Sequence, residues 1–189
     1  MRSDLLHHLA ARRHVSLRRL NAPGPDDGAL RRILEAAAHA PDHGRSRPWR
    51  FILVPTYRRG ALGAVFADTL AAREPECSEE ARTAAFGKAF HAPCLIVAVF
   101  CDDPSVSTVP REEKLISLGC AIQNVLIAAQ AQQFASGLAS GAGLQTTAMR
   151  ELLALGPHER AICFIGIGSA ERAARHCVRP ALDEYFSTL

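Results

Sequence analysis

None of the common catalytic-loop signatures occurs in this chain. It has no Gly-x-Ser-x-Gly elbow, no Gly-Lys-Ser/Thr phosphate loop and no His-Glu-x-x-His pair, which sets aside the chemistries those spacings serve. Gly166-Ile167-Gly168 follows an apolar run, but the third glycine of a dinucleotide fingerprint would fall on Glu171, so a Rossmann phosphate turn is excluded. No two of the six cysteines, Cys77, Cys94, Cys101, Cys120, Cys163 and Cys177, are spaced Cys-x-x-Cys, and four lie in apolar runs. The amino-terminal MRSDLLHHLAARR has its apolar residues interrupted by His7 and His8, unlike a secretory core. Buried reduced thiols in a cytoplasmic protein are therefore expected.

Charge is missing from one long stretch: none occurs between Lys114 and Arg150. A membrane span over residues 115–134 is disfavoured by Ser117, Gln123, Asn124, Gln130, Gln132 and Gln133, whose burial in hydrocarbon is costly. A buried soluble helix over residues 112–133 is expected instead, about 33 Å long at ~1.5 Å per residue. It is apolar on most of its circumference, so it needs cover on all sides, which points to a second subunit. The basic run of residues 12–19 lacks interleaved aromatics and the net charge is only +3, so nucleic acid is not an expected partner.

With 189 residues, 48% hydrophobic and 22% charged, the chain reads as one soluble domain, residues 1–189. Ser3 is suited to cap a first helix, and Asp26 or Asp27 a second that Ala40-Pro41 halts. Residues 49–54 predict a strand, 58–72 and 78–90 two helices, and 92–101 a strand without alternation, as if covered on both faces. A short strand within 134–143, a helix from Thr146 or Thr147 to Leu155 and a strand over 161–167 follow. Residues 12–20 read as too basic and too short for core. Helices on both sides of apolar strands predict an α+β, three-layer α/β/α sandwich with a mixed central sheet.

Chemistry concentrates in two places. Residues 39–54, HAPDHGRSRPWRFILV, place a helix end, a polar turn and a strand start together, with Arg45, Arg47, Arg50, His39, His43 and the single tryptophan, Trp49. These residue types suit an anion or a heteroaromatic ring. His39 and His43 have the i, i+4 spacing of a metal pair, but Pro41 breaks the register between them. The second place is Arg12, Arg13, His14, Ser16, Arg18 and Arg19, read equally as a solvated face or as a cradle for a compact phosphate. Gly137, Gly141 and Gly143 read either as a loop or as a close backbone approach to a ligand.

Five segments in order, RHVSLRRL, APDHGRSRPWRFILV, KAFHAPCLIVAV, VPREEKLISLGCAIQN and FIGIG, resemble the nitroreductase family, nearest its compact branch of small FMN-dependent nitroreductase-like oxidoreductases. The resemblance covers nearly the whole chain. It implies an intertwined homodimer with FMN at the interface and NAD(P)H as co-substrate. It implies two-electron ping-pong reduction of nitroaromatic, quinone or similar flat acceptors, with no side-chain nucleophile. The family's phosphate element falls on His14, Val15, Ser16 and Arg18, its Ala-Pro loop on His39 and His43, and its glycine-rich flavin contacts on Leu138, Ala139 and Ser140. A carboxy-terminal basic residue, here Arg179, reaches the phosphate. The chain departs from the branch where Leu138-Ala139-Ser140 stands for Trp-Arg-Ser, where His14 replaces arginine, and at Arg45 and Arg47. These departures motivate an alternative, a diverged non-redox flavin or small-ligand binder of the same fold.

Overall fold

A computed structural model describes residues 3–106, 108–171 and 179–189. In chain order the described elements are α1 (Ser3–Ala11), α2 (Asp27–Glu35), β1 (Trp49–Leu53), α3 (Arg59–Arg73), α4 (Glu79–Gly87), β2 (Cys94–Cys101), α5 (Arg111–Ala131), β3 (Ala135–Ala139), α6 (Thr147–Leu152) and β4 (Glu159–Gly168). Helix starts follow the capping chemistry of the sequence. The Asp26 carboxylate accepts from the Ala29 amide at 2.7 Å. Ser78 and Thr146 hydroxyls accept from the Ala81 and Met149 amides, each at 3.2 Å. Each cap satisfies a first-turn donor that would otherwise lack a partner. The cap assigned to Ser3 and the thiol of Cys177 lie outside what is described.

β2 explains the run without alternation. Successive strand side chains point to opposite faces. Cys94, Ile96, Ala98 and Phe100 join one apolar cluster with Ile33 of α2 and Leu118, Ala121 and Val125 of α5. Leu95, Val97 and Val99 join another with Leu62 of α3 and Met149 of α6. Both faces of this strand are thus covered by helices. Among the described residues α5 is the one helix long and apolar enough to cross a membrane, and Leu118, Ala121, Val125 and Ala129 along it are buried.

The sheet has the order β1-β2-β4-β3, and all three pairings are antiparallel. The expectation of a mixed sheet is therefore wrong. Strands apolar on both faces suggested parallel neighbours, but helical cover on both faces removes alternation whatever the strand direction. Among the described residues the one parallel contact is an isolated bridge, His14 with Ser136.

That bridge introduces a second correction, to the expectation that residues 12–20 are too basic and too short for core. The Val15 amide donates to Ser136 O at 3.0 Å, and Leu17 and Leu20 are buried in the second cluster. Asn21 and Ser169 exchange backbone bonds at 2.7 and 2.8 Å. The segment lies across β3 and β4 at glycines: a Cβ on Gly137 would sit 1.9 Å from Val15 O, and one on Gly166 2.5 Å from Leu17 Cγ. The signal was present in the spacing of Val15, Leu17 and Leu20, masked by the arginines between them. Gly137→Ala should lower the unfolding free energy by about 1–3 kcal/mol through displacement of this segment. An unchanged denaturation midpoint would show that the segment does not depend on the close approach.

Candidate functional site

Docked in this way, the segment forms one wall of a cleft of about 470 Å³. His14, Ser16 and Arg18 line it from this side, and Leu138, Ala139 and Ser140 line it from the end of β3 and the loop beyond. His14 is held in place by its Nδ1, which accepts from the Leu138 amide at 3.4 Å, leaving Nε2 for other contacts. Leu17, Leu95, Leu144 and the edge-to-face pair Phe66–Phe164, 5.6 Å between ring centroids, supply apolar surface.

The opposite wall comes from α3 and the turn before β2, through Thr69, Arg73, Lys88 and His91. Arg59 fixes that turn. It is 4% exposed, and it donates to Val54 O at 2.9 Å, Ala89 O at 2.7 Å and Ala92 O at 3.5 Å. Burial lowers its pKa, but three carbonyls in place of a carboxylate still solvate the charge. Ala92 itself has φ of 68°, a left-handed conformation that this clamp helps to hold.

Among the described residues no aspartate or glutamate lines the cleft, whereas Arg18, Arg73 and Lys88 do. Burial pulls the His91 imidazole below its ordinary value, and the charges of Lys88 and then Arg18 pull it further. The ring is therefore biased to the neutral form while the cleft lacks an anion. Burial also pushes the thiols of Cys94, Cys101 and Cys163 up to about 11, so none is a ready nucleophile at neutral pH. Among the described residues no three His, Cys, Asp or Glu side chains group to hold a metal ion.

The remaining sequence-assigned residues lie elsewhere. Val15 contributes its backbone to β3. Arg179, exposed, donates to Arg12 O at 2.7 Å. His39 ends a short turn, Ala36–His39, that packs on α5. His43 Nδ1 pairs with Glu113 at the start of α5. Within one chain these two histidines do not reach the cleft lining. Sequence reasoning missed Phe66, Thr69, Arg73, Lys88 and His91. The spacing of Phe66, Thr69 and Arg73 marks one helical face, and Lys88 and His91 stand immediately before the Ala92-Pro93 strand entry, the local signals that would have found them.

A second cavity, about 340 Å³, contains Asp102, Arg111, Arg150, His158, Glu159 and Arg160. Its acids are already engaged: Arg50 donates to Glu159 at 2.7 Å and Lys114 to Asp102 at 2.9 Å. Arg150 donates to the carbonyls of Glu159 and Gly156, both at 2.7 Å. This polar network ties β1, α6 and β4 together.

The α+β domain thus carries a cationic cleft over apolar side chains, a lining suited to a small anionic ligand. Comparison with known proteins gives the family. A model described as the Nitroreductase family matches residues 10–169. A Haemophilus influenzae protein named provisionally as an NAD(P)H nitroreductase is 36% identical over 175 residues, covering 92% of this chain and 93% of that protein. The similarly named YdjA of Escherichia coli K12 is 32% identical, with 90% and 91% covered. A nitroreductase-like protein from Bacillus cereus superposes with a TM-score of 0.79 at 19% identity, covering 99% and 96%. A Desulfovibrio desulfuricans structure described as in complex with FMN gives 0.74 at 22%, covering 99% and 98%. The chain belongs to the nitroreductase family and is an oxidoreductase enzyme.

The cationic cleft makes a pH prediction. An anion bound beside His91 favours its protonated form, so His91 takes up a proton on binding and affinity rises as pH falls toward the lowered pKa of the free ring. Sulfate, whose charge is constant there, should bind more tightly at pH 5.5 than at pH 8 by NMR titration, and His91→Gln should flatten the difference. A pH-independent wild-type affinity would contradict this coupling.

Proposed function

We propose that this protein is an FMN-dependent NAD(P)H oxidoreductase that reduces nitroaromatic, quinone or similar flat acceptors by two-electron ping-pong transfer. The carrying observation is convergence: His14, Ser16 and Arg18 meet Leu138, Ala139 and Ser140 around one cleft without a carboxylate. The residues fit the cofactor. Ser16 and Arg18 are exposed, and the Ser16 hydroxyl caps no backbone amide of the turn that follows it, so both groups are open to a phosphate. A hydroxyl and a guanidinium fork match the oxygens of a phosphate monoester. Leu17, Leu95 and Leu144 exclude water beneath a bound ring. FMN supplies the redox chemistry when bound; the protein orients it and the substrates. No side-chain nucleophile or acid–base pair is required.

The same reading makes the protein a homodimer of one nitroreductase-like domain, residues 1–189, with a three-layer α/β/α arrangement, in the cytoplasm. Uncovered apolar surface supports the dimer: Ile116 on α5 is 65% exposed, and Tyr185 and Phe186 in the tail are 69% and 60% exposed. In such a dimer His39 and His43, beside α5, serve the partner subunit's cleft, and Arg179 adds to the phosphate contacts.

Purified protein should be yellow and should bleach under anaerobic NAD(P)H. Protein that is yellow but unbleached would favour a non-redox flavin binder, and refusal of added FMN would remove both readings. Replacing Ser16 and Arg18 together by Ala should weaken FMN binding about tenfold or more. Unchanged flavin fluorescence titrations would refute the phosphate assignment.

A further inference from the structure

The cleft holds more positive charge than one phosphate monoester requires: Arg18, Arg73 and Lys88 all line it. Arg18 and Lys88 oppose the protonation of His91, and Arg73 belongs to α3. It stands one helical turn beyond Thr69 on α3, so the two share a face. The Thr69 hydroxyl lies 3.6 Å from the place a Cβ on Gly143 would occupy. Arg73 therefore belongs to the wall beside the loop after β3. It is exposed and has no resolved ion pair or hydrogen bond with a described residue.

We propose that Arg73 is a specificity-determining residue that recognises a second phosphate monoester, the 2′-phosphate of the nicotinamide donor, so that NADPH is taken in preference to NADH. This rests on the cofactor reading, in which Ser16 and Arg18 hold the flavin phosphate. A guanidinium presents a planar fork to two phosphate oxygens, whereas NADH carries only a hydroxyl at that position. In Rossmann proteins that select NADH a carboxylate holds the ribose hydroxyls, and among the described residues no carboxylate lines this cleft. A cation at the carboxy-terminal end of α3 also complements the helix dipole, a role that contributes to stability without discriminating between nucleotides.

Calorimetric titration of the FMN-supplemented protein with 2′,5′-ADP and with 5′-AMP tests this directly. The wild type should bind 2′,5′-ADP about tenfold or more tightly than 5′-AMP. Arg73→Ala should bring the two within about twofold, Arg73→Lys should retain part of the preference, and FMN affinity should be the same in all three proteins. Equal wild-type affinities, or a preference that survives Arg73→Ala, overturns the proposal. A variant that only melts earlier, with its preference intact, likewise overturns it and leaves a helix-end role. An Arg73-dependent preference in a protein whose flavin neither donor bleaches would support this assignment while removing the reductase reading.

Discussion

Gly137 has no space for a side chain, because Val15 O occupies the position its Cβ would take, and much of the site follows from this contact. It lets the segment after α1 run beside β3 and hydrogen-bond to Ser136. That pairing buries Leu17 and Leu20, leaving Ser16 and Arg18, on either side of Leu17, on the cleft they line. A bulkier residue at 137 would disturb the backbone of the very segment that carries Ser16 and Arg18.

The opposite wall is fixed by a different device. Arg59 spends its guanidinium on carbonyls at the end of β1 and around the turn into β2, and so holds the turn that bears Lys88 and His91. Burying a cation without a carboxylate is expensive unless its donors are satisfied, and it is the carbonyl set that satisfies them. The cleft's cations are thereby carried on two separately anchored walls, with no acid between them among the described residues. His91 responds to that field: burial and the charges of Lys88 and Arg18 bias its ring to the neutral form.

Much of the fold was legible because the sequence punctuates it strongly. Asp26, Ser78 and Thr146 mark helix starts, Ala40-Pro41 ends the second helical region, and the apolar runs around residues 94–100 and 161–167 are strands. Strand direction was not legible, since a run buried on both faces looks alike in parallel and antiparallel sheets. The burial of Leu17 and Leu20 was obscured by the arginines beside them, and recognising it requires knowing that Gly137 and Gly166 leave room. For the site, the resemblance located the amino-terminal wall and the end of β3, but Phe66, Thr69 and Arg73 sit on an alanine-rich helix with no motif. His39 and His43 pack beside α5 and outside the lining of this chain's cleft, a placement that no local sequence pattern marks.

The proposed function makes Ser16 and Arg18 the phosphate grip of an FMN site in the cleft that Leu138–Ser140 line. A crystal structure of the protein grown with FMN tests it most directly. The account predicts phosphate oxygens about 2.7–3.2 Å from Ser16 Oγ and the Arg18 guanidinium, with the ring over the apolar surface formed by Leu17, Leu95 and Leu144. A phosphate bound instead in the polar cavity of Arg150 and Arg160, or a flavin that leaves Ser16 and Arg18 in solvent, would contradict it.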